Sequence, residues 1–200
     1  MVNFISFLAL IICITFHEFC HAFVADRLGD PTPRSYGRLT LNPLAHADPI
    51  GTILLPLISA LTGIPTIGWA KPVPIDPFNF KNPKRDEMLV AIAGPVGNLL
   101  LAVFCSIFFK FLGIQNIFLY LIILINISLA VFNLLPIPPL DGSKIFLNLL
   151  PAEKSYQWQQ AFDRYGFILL IVLVFLPIGG SSIFQIILSP IVNFVLTLLT

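Results

Sequence analysis

The chain has 200 residues and a net charge of +1, and 57% of its residues are hydrophobic whereas only 10% are charged. This composition, with a mean hydropathy of +0.93, lies outside the range of soluble domains and indicates a protein of the lipid bilayer. The near-neutral charge argues against a nucleic acid partner, which would require a basic surface. The 19 phenylalanines argue against disorder, and the 17 prolines predict helices that are interrupted at particular points.

Apolar runs that can cross about 30 Å of hydrocarbon begin at the N-terminus. Five predicted spans are 2–25, 88–112, 117–135, 167–176 and 183–199; the fourth needs preceding residues such as Trp158, Ala161 and Phe162 to reach bilayer length. In a signal peptide, basic residues precede the apolar run. No basic residue precedes the first run here, so we expect this run to be retained as a membrane helix. Short turns join the second span to the third and the fourth to the fifth.

The topology depends on residues 50–64, an apolar run that is short for a span and contains Pro56. If it crosses, the eleven basic residues divide seven to four between the two faces; if it re-enters, ten lie on one face and Lys110 alone on the other. Because cytoplasmic loops retain positive charge, the second arrangement is preferred, with loops 26–87 and 142–165 in the cytoplasm. We therefore predict an all-α polytopic membrane protein with about five transmembrane helices, a re-entrant or membrane-associated segment at 50–64, and β-strands in the 28–87 region.

We expect one integral-membrane domain over 1–200. Its core, 1–150, would carry the functional site, and 151–200 would form a C-terminal helical hairpin that is a candidate gate.

The first helix contains His17-Glu18-Phe19-Cys20-His21, an H-E-x-x-H arrangement. At 100° per residue, His17 and His21 point about 40° apart and lie one turn apart, so both imidazoles can reach one metal ion. An alternative is a structural polar cluster. Ionisable groups in a membrane helix cost about 2.5 to 3.5 kcal/mol each, and three in one helix need a shared compensation, which favours one Zn²⁺ per chain.

Asp141 is the best candidate for a third zinc ligand, because it follows the 117–135 span at a place where prolines free the backbone to turn inward. The alternative is a helix N-cap ahead of residues 143–150. In the charge-preferred topology the ends of three spans approach the same face, so Asp141 can meet the histidines. Were 50–64 to cross, about 20 Å or more of bilayer would separate them.

Two asparagines lie at a comparable depth, and both are candidate substrate-binding residues. Asn133 could donate a hydrogen bond to a substrate carbonyl or to the oxyanion formed from it. Asn98 also fits interhelical hydrogen bonding, since Ala91, Gly94 and Gly97 permit close helix contact.

Other polar residues leave alternatives open. Cys13 and Cys20 share the His17 face, which would suit a soft-metal transporter or sensor, but buried cysteine more often packs as a small hydrophobe. His46 is either a turn residue capped by Asp48 or part of the site. A non-catalytic homologue that binds membrane partners is a further possibility, although the intact Glu18 argues against it.

Together these residues resemble the site-2 protease family of intramembrane zinc metalloproteases, in a compact prokaryotic form without PDZ or CBS modules. The resemblance covers most of the first 145 residues. It is carried by His17 to His21, Asn42 to Gly51, Gly68 to Pro74, Gly94 to Asn98 and Asn133 to Gly142.

The resemblance implies that His17, His21 and Asp141 hold zinc and that Glu18 is the catalytic carboxylate. It implies cleavage of membrane-anchored protein substrates within the bilayer of a prokaryotic cell membrane, near the cytoplasmic side. A membrane protein that regulates this cleavage is an expected partner, beside the lipid itself.

Overall fold

The computed structural model describes residues 2–55, 58, 70–114 and 116–200. The chain is mainly helical along these residues. Its α-helices include α1 Val2–Leu28, α2 Thr32–Ser35, α3 Pro43–His46, α4 Pro83–Ser106, α5 Ile117–Asn133, α6 Asp141–Leu149, α7 Ala152–Phe175 and α8 Ile183–Leu199. Shorter turns of π or 3-10 type lie at Pro49–Leu54, Pro77–Asn79 and Ile107–Phe111, and the paired strands β1 Pro177–Ile178 and β2 Ser181–Ser182 form a short hairpin.

Two helices among the described residues are long and apolar enough to cross a bilayer. They run over Phe4–Leu28, with 25 residues, and over Pro83–Lys110, with 28 residues and including the π turn after α4. At about 1.5 Å per residue, each exceeds the roughly 30 Å of hydrocarbon. The apolar helices Ile117–Asn133 and Gln185–Leu199 are shorter.

The apolar core lies where α1, α4, α5 and α8 meet. Its buried members are Ala9, Cys13, Ala102, Cys105, Ile122, Ile123, Ile127, Leu188 and Val192. Small residues of α1 and α4 face branched residues of α5, so the first two helices lie close together while α5 fills the groove beside them. This packing holds the middle of α1 against both α4 and α5.

The closest approach between α1 and α4 occurs at two glycines. A Cβ built on Gly94 would stand 2.3 Å from His21 Nε2, and one built on Gly97 would stand 2.3 Å from Cys20 Sγ. Neither position therefore admits a side chain without movement of α1 side chains. The close contact expected from the glycines of this segment is present, and it brings the α4 backbone against the H-E-x-x-H residues.

A tight turn after α5 returns the chain towards α1. Prolines at 136, 138 and 139 prevent the helix from continuing, and α6 begins at Asp141. A Cβ on Gly142 would stand 2.3 Å from the carbonyl oxygens of both Leu134 and Leu135. Because only glycine fits there, the start of α6 packs directly on the end of α5.

The C-terminal helices pack through fewer buried side chains. Phe146 of α6 contacts Trp158 and Phe162 of α7 at ring distances of 5.3 and 6.0 Å. Gly166 of α7 lies against Pro138, and the turn between β1 and β2 contains Gly179 with φ +62° and Gly180 with φ +90°. Most large apolar side chains from Phe167 to Leu176 are exposed.

The predicted spans match helices, with shifted boundaries. Helix α1 continues past residue 25 through two charged residues, and α4 begins five residues before the predicted 88 because Pro83 suits a first helical turn. The fourth span extends back to Ala152, further than expected. The count of five transmembrane helices goes beyond the two that meet the length and hydropathy requirements.

The strands predicted in 28–87 are not confirmed. In the described part of that range, 28–55, 58 and 70–87, no strand is present, and the segment from Ala70 to Asp76 is extended but does not pair as a strand. Most of 50–64, on which the re-entrant prediction depends, lies outside the described residues. Its first part forms the π turn Pro49–Leu54, whose N-terminal amides are capped by Asp48.

Candidate active site

Three possible metal ligands from α1 and α6 converge on one point. His17 Nε2 lies 3.0 Å from His21 Nε2 and 3.1 Å from Asp141 Oδ2, and His21 Nε2 lies 3.2 Å from the same carboxylate oxygen. The two histidines are buried and the Asp141 side chain is 15% exposed. Residues 124 positions apart therefore present a triangle of donor atoms.

This triangle fits zinc. A tetrahedral zinc ion with bonds of about 2.0 to 2.1 Å separates its ligand atoms by about 3.3 Å, close to the three observed distances. The donor set of two imidazoles and one carboxylate is one that catalytic zinc uses, and three protein ligands leave a fourth position open. Among the described residues, His17, His21 and Asp141 are the His, Cys, Asp or Glu residues whose ligand atoms lie close enough together to hold a metal ion.

Each histidine is oriented through its other ring nitrogen. His21 Nδ1 donates to the carbonyl oxygen of Val90 at 2.7 Å, and His17 Nδ1 donates to Asn98 Oδ1 at 2.5 Å. When the imidazoles are neutral and their Nδ1 protons are engaged on α4, both Nε2 atoms have a lone pair available for a metal ion. Partners of this kind fix the tautomer and orientation of metal-binding histidines.

Asn98 belongs to a buried polar chain that runs between the helices. Its side-chain nitrogen donates to the Cys13 carbonyl oxygen at 3.1 Å and to Asn126 Oδ1 at 2.6 Å. The Asn126 nitrogen in turn donates to the Ile122 carbonyl oxygen at 2.8 Å. Both asparagines are completely buried, so these hydrogen bonds determine which way the Asn98 amide faces and present its oxygen to His17.

Asp141 does not act as the helix cap that was the alternative interpretation. Leu140 is the N-cap residue of α6, and Asp141 is the first residue of the helix. Burial by itself opposes ionisation of Asp141, but the positive charge and the Nε2–H hydrogen bonds that His21 and His17 present in their protonated form hold the pKa of this carboxyl well below its usual range. The side chain therefore presents a charged oxygen to the imidazoles.

Glu18 lines a cavity of about 630 Å³ that opens beside the three candidate ligands. One wall of the cavity comes from the extended segment that contains Val73, and the opposite wall comes from the end of α5 and the start of α6. The Val73 backbone N–H donates to Glu18 Oε2 at 3.1 Å. A carboxylate next to a metal position, in a cavity that admits solvent or a peptide, can accept a proton from water.

Asn133 and Asn98 occupy different positions relative to this cavity. Asn133 lines it, and its side-chain nitrogen donates one hydrogen bond to the Leu129 carbonyl oxygen at 3.0 Å. Asn98 is instead buried behind His17 and is absent from the described lining of the cavity.

The remaining candidates lie away from the ligands. His46 is 2% exposed, and its Nε2 donates to the Thr40 carbonyl oxygen at 2.9 Å, while Asp48 caps the following π turn. Cys20 packs against Gly97, and Cys13 Sγ accepts a hydrogen bond from Asn126. All three cysteines are free. Among the described residues, the group that could hold a metal ion contains no cysteine.

Three contributors to the site were not identified from the sequence. Asn126 carried a usable signal, since it is a polar residue in the middle of an apolar span. Val90 and Val73 contribute a backbone carbonyl and a backbone amide, which no side-chain pattern reveals.

Comparison with known proteins finds a family model and relatives that match this chain. The model of Peptidase family M50 matches residues 111–176. YwhC of Bacillus subtilis (strain 168), assigned as a zinc metalloprotease, is 40% identical over 185 residues, which cover 86% of this chain and 81% of that protein. Rip2 of Mycolicibacterium smegmatis, assigned likewise, is 33% identical over 183 residues, covering 86% of this chain and 66% of that protein.

No solved structure matches the chain. The similarity to YwhC extends over most of both chains, and the family model covers the segment from the end of the π turn Ile107–Phe111 to the residue after α7. The resemblance seen in the motifs is thereby confirmed: the chain belongs to Peptidase family M50, the site-2 protease family.

Proposed function

We propose that this zinc metallopeptidase cleaves the transmembrane segments of membrane-anchored protein substrates inside the bilayer. Membership of family M50 supports the peptidase activity and the zinc cofactor. The observation that carries the proposal is the convergence of His17, His21 and Asp141 within 3.2 Å of one another, next to Glu18 and a cavity.

In this proposal His17 and His21 bind one zinc ion per chain through Nε2, and Asp141 binds it through a carboxylate oxygen. When bound, zinc lowers the pKa of a water molecule to about 7 and polarises a peptide carbonyl. The carbonyl of Val90 and the side chain of Asn98 keep the two imidazoles in the required orientation. We accordingly assign Asn98 a positioning role, since burial leaves it no contact with a substrate.

Glu18 is the proposed general base. Its carboxylate takes a proton from water as the water attacks the peptide carbonyl, and later delivers a proton to the leaving amine. Asn133 lines the same cavity and is proposed to donate a hydrogen bond from Nδ2 to the oxyanion that forms on the substrate. The Leu129 carbonyl, which accepts the other Nδ2 proton, would hold the amide in place.

The substrate is proposed to enter in a locally unwound form. A transmembrane helix keeps its carbonyls in the i to i+4 ladder, so residues that weaken the helix, such as Gly, Pro and Asn, would favour cleavage. Five long helices, α1, α4, α5, α7 and α8, would cross the cell membrane, and the basic loops 26–87 and 142–165 would face the cytoplasm. The hairpin of α7 and α8 is the proposed gate, and a membrane protein could regulate it.

A reconstituted cleavage assay tests this function. The full chain in liposomes would be supplied with a panel of single-span reporter proteins that carry Gly, Pro or Asn near the cytoplasmic end of the span. We expect cleavage that a zinc chelator stops and added zinc restores. Glu18→Gln should retain zinc and lower turnover by about 10² to 10⁴-fold. Undiminished cleavage by this variant would remove Glu18 from the mechanism.

A further inference from the structure

One wall of the cavity is an extended segment, 70–76, which we call the strap. It contains neither helix nor strand, yet four of its residues line the cavity beside the candidate ligands: Ala70, Pro72, Val73 and Ile75. A segment without internal hydrogen bonds needs external partners to hold its shape. The partners of the strap are therefore informative about what it does.

The middle of the strap contacts Glu18 through a single backbone group. The Val73 N–H donates to Glu18 Oε2 at 3.1 Å, and Val73 is 8% exposed. Pro72 and Pro74 flank Val73 and carry no N–H. The Val73 amide is thus the only hydrogen-bond donor that three consecutive strap residues can offer, and it points at the catalytic carboxylate.

Both ends of the strap are fixed by residues of the connection between α1 and the π turn. The Lys71 N–H donates to the His46 carbonyl oxygen at 2.9 Å, and Arg38 donates to the Lys71 carbonyl oxygen at 3.3 Å. At the other end, the Asp76 N–H donates to Asp30 Oδ2 at 2.9 Å. These anchoring residues are buried, at 6% exposure for Arg38, 2% for His46 and 0% for Asp30.

This construction restrains one oxygen of Glu18 and leaves the other available. A glutamate side chain has several rotatable bonds, and ordering it costs conformational entropy. A charge-assisted hydrogen bond from an anchored amide can offset that cost. With Oε2 bound to Val73, Oε1 has no hydrogen-bond partner among the described residues, so it can accept a proton from water in the cavity.

We propose that the backbone N–H of Val73 positions Glu18 for proton transfer, so that Val73 is a positioning residue and the strap is part of the catalytic apparatus. This rests on the proposed function of Glu18 as general base. The role depends on the amide and not on the valine side chain, which gives it a specific test.

The first test compares Val73→Pro, which removes the N–H, with Val73→Ala, which keeps it. In the full chain in liposomes, with the reporter panel as substrate, we expect Val73→Pro to lower kcat by about ten- to a hundredfold, the size of one hydrogen bond to a charged group. KM should change less than about twofold, and zinc content should equal that of the wild type. The kcat of Val73→Ala, which keeps the N–H, should stay within about threefold of the wild-type value. Equal kcat for the two variants would overturn the proposal.

The second test does not depend on activity or on the proline variant folding. Because residues 72 and 74 are prolines, neither neighbour of Val73 has an exchangeable amide, and site-resolved hydrogen exchange can follow Val73. In Glu18→Ala we expect the Val73 amide to exchange at least about tenfold faster than in the wild type. In Glu87→Ala, which changes the same cavity, its rate should stay unchanged.

The two arms separate this inference from the proposed function. A Val73 amide that exchanges equally fast in wild type and Glu18→Ala shows that the hydrogen bond is not formed, and the inference is then wrong even if cleavage depends on zinc. If the wild type cleaves no reporter, the proposed function is contradicted. If the Val73 amide nevertheless exchanges faster in Glu18→Ala than in the wild type, the contact between the strap and the Glu18 carboxylate still stands.

Discussion

The helices that carry the site and the C-terminal hairpin are similar in composition but different in packing. Helices α4 and α5 bury Asn98 and Asn126 completely, and α1 buries His17 and His21 to 6% exposure, whereas α7 buries only Phe162 and Gly166. Large apolar residues of α7 are mostly exposed. In an apolar chain, the position of the site is therefore marked by buried polar groups with partners, because only a packed interior can compensate them.

Gly94→Ala, in the helices that carry the site, should have the largest effect on zinc content and cleavage. A Cβ at this position would stand 2.3 Å from His21 Nε2 and 2.6 Å from His17 Nε2, so the imidazoles must rotate away from Asp141. We expect zinc content to fall well below one per chain and cleavage to fall by about a hundredfold or more. The control is Val96→Ala, which lies on the same helix at 44% exposure. Equal zinc in the two variants, measured by elemental analysis, would contradict the packing argument.

Asn98→Ala should weaken zinc binding by about 10- to 100-fold, because His17 loses the acceptor that orients it. The measurement is zinc affinity by competition with a chelator of known strength. Asn193→Ala is the matched control, since Asn193 is an exposed asparagine of α8. If the two variants lose the same affinity, the buried chain of asparagines has no particular role in holding the imidazole.

Gly166→Ala tests whether the hairpin influences the site at all. Its Cβ would stand 3.0 Å from three atoms of the Pro138 ring, so the ring must shift by a few tenths of an ångström, close to Asp141 in the chain. We expect cleavage to fall by about threefold with zinc retained. Phe167→Ala, at 67% exposure on the same helix, should have no effect. A loss of zinc in Gly166→Ala would mean that the two regions are more tightly coupled than their packing suggests.

Asp30→Asn should have the smallest effect of these variants, and the property affected is thermal stability. Burial would raise the pKa of Asp30, but the hydrogen bonds from Thr32, Asp76 and Asn79 together lower it. The ionised form therefore contributes stability above the unfolded pKa of about 3.9, and this contribution is lost as the pH falls through the lower folded-state pKa. We expect the variant to have a lower Tm than the wild type near neutral pH, and the gap to narrow below about pH 4.

The control for this experiment is Asp163→Asn, an exposed aspartate of α7. It should have the Tm of the wild type at every pH. A gap between Asp30→Asn and wild type that stays constant on acidification would show that ionisation of Asp30 does not stabilise the fold.

Much of the fold could be predicted from apolar run length. The span 117–135 closely matches α5, and the last span matches α8, because each run is bounded by turn residues. Helix starts in polar sequence were less accurate. Residues 152–165 extend α7 outside the apolar run, since helix propensity and packing on Phe146, not hydropathy, determine where that helix begins.

The sequence alone determined the chemistry that α1 can offer. Helical periodicity places His17 and His21 on one face whatever surrounds them, and Glu18 lies beside that face, because these relations are local. Asp141 could be proposed as their partner from the sequence, but only the tertiary structure brought its carboxylate into contact with them. The structure alone also decided which other distant groups join: the carbonyl of Val90, the Asn98 and Asn126 side chains and the amide of Val73. Those contacts depend on how closely glycine lets helices approach and on backbone groups that all residues share, and neither leaves a periodic pattern in the sequence.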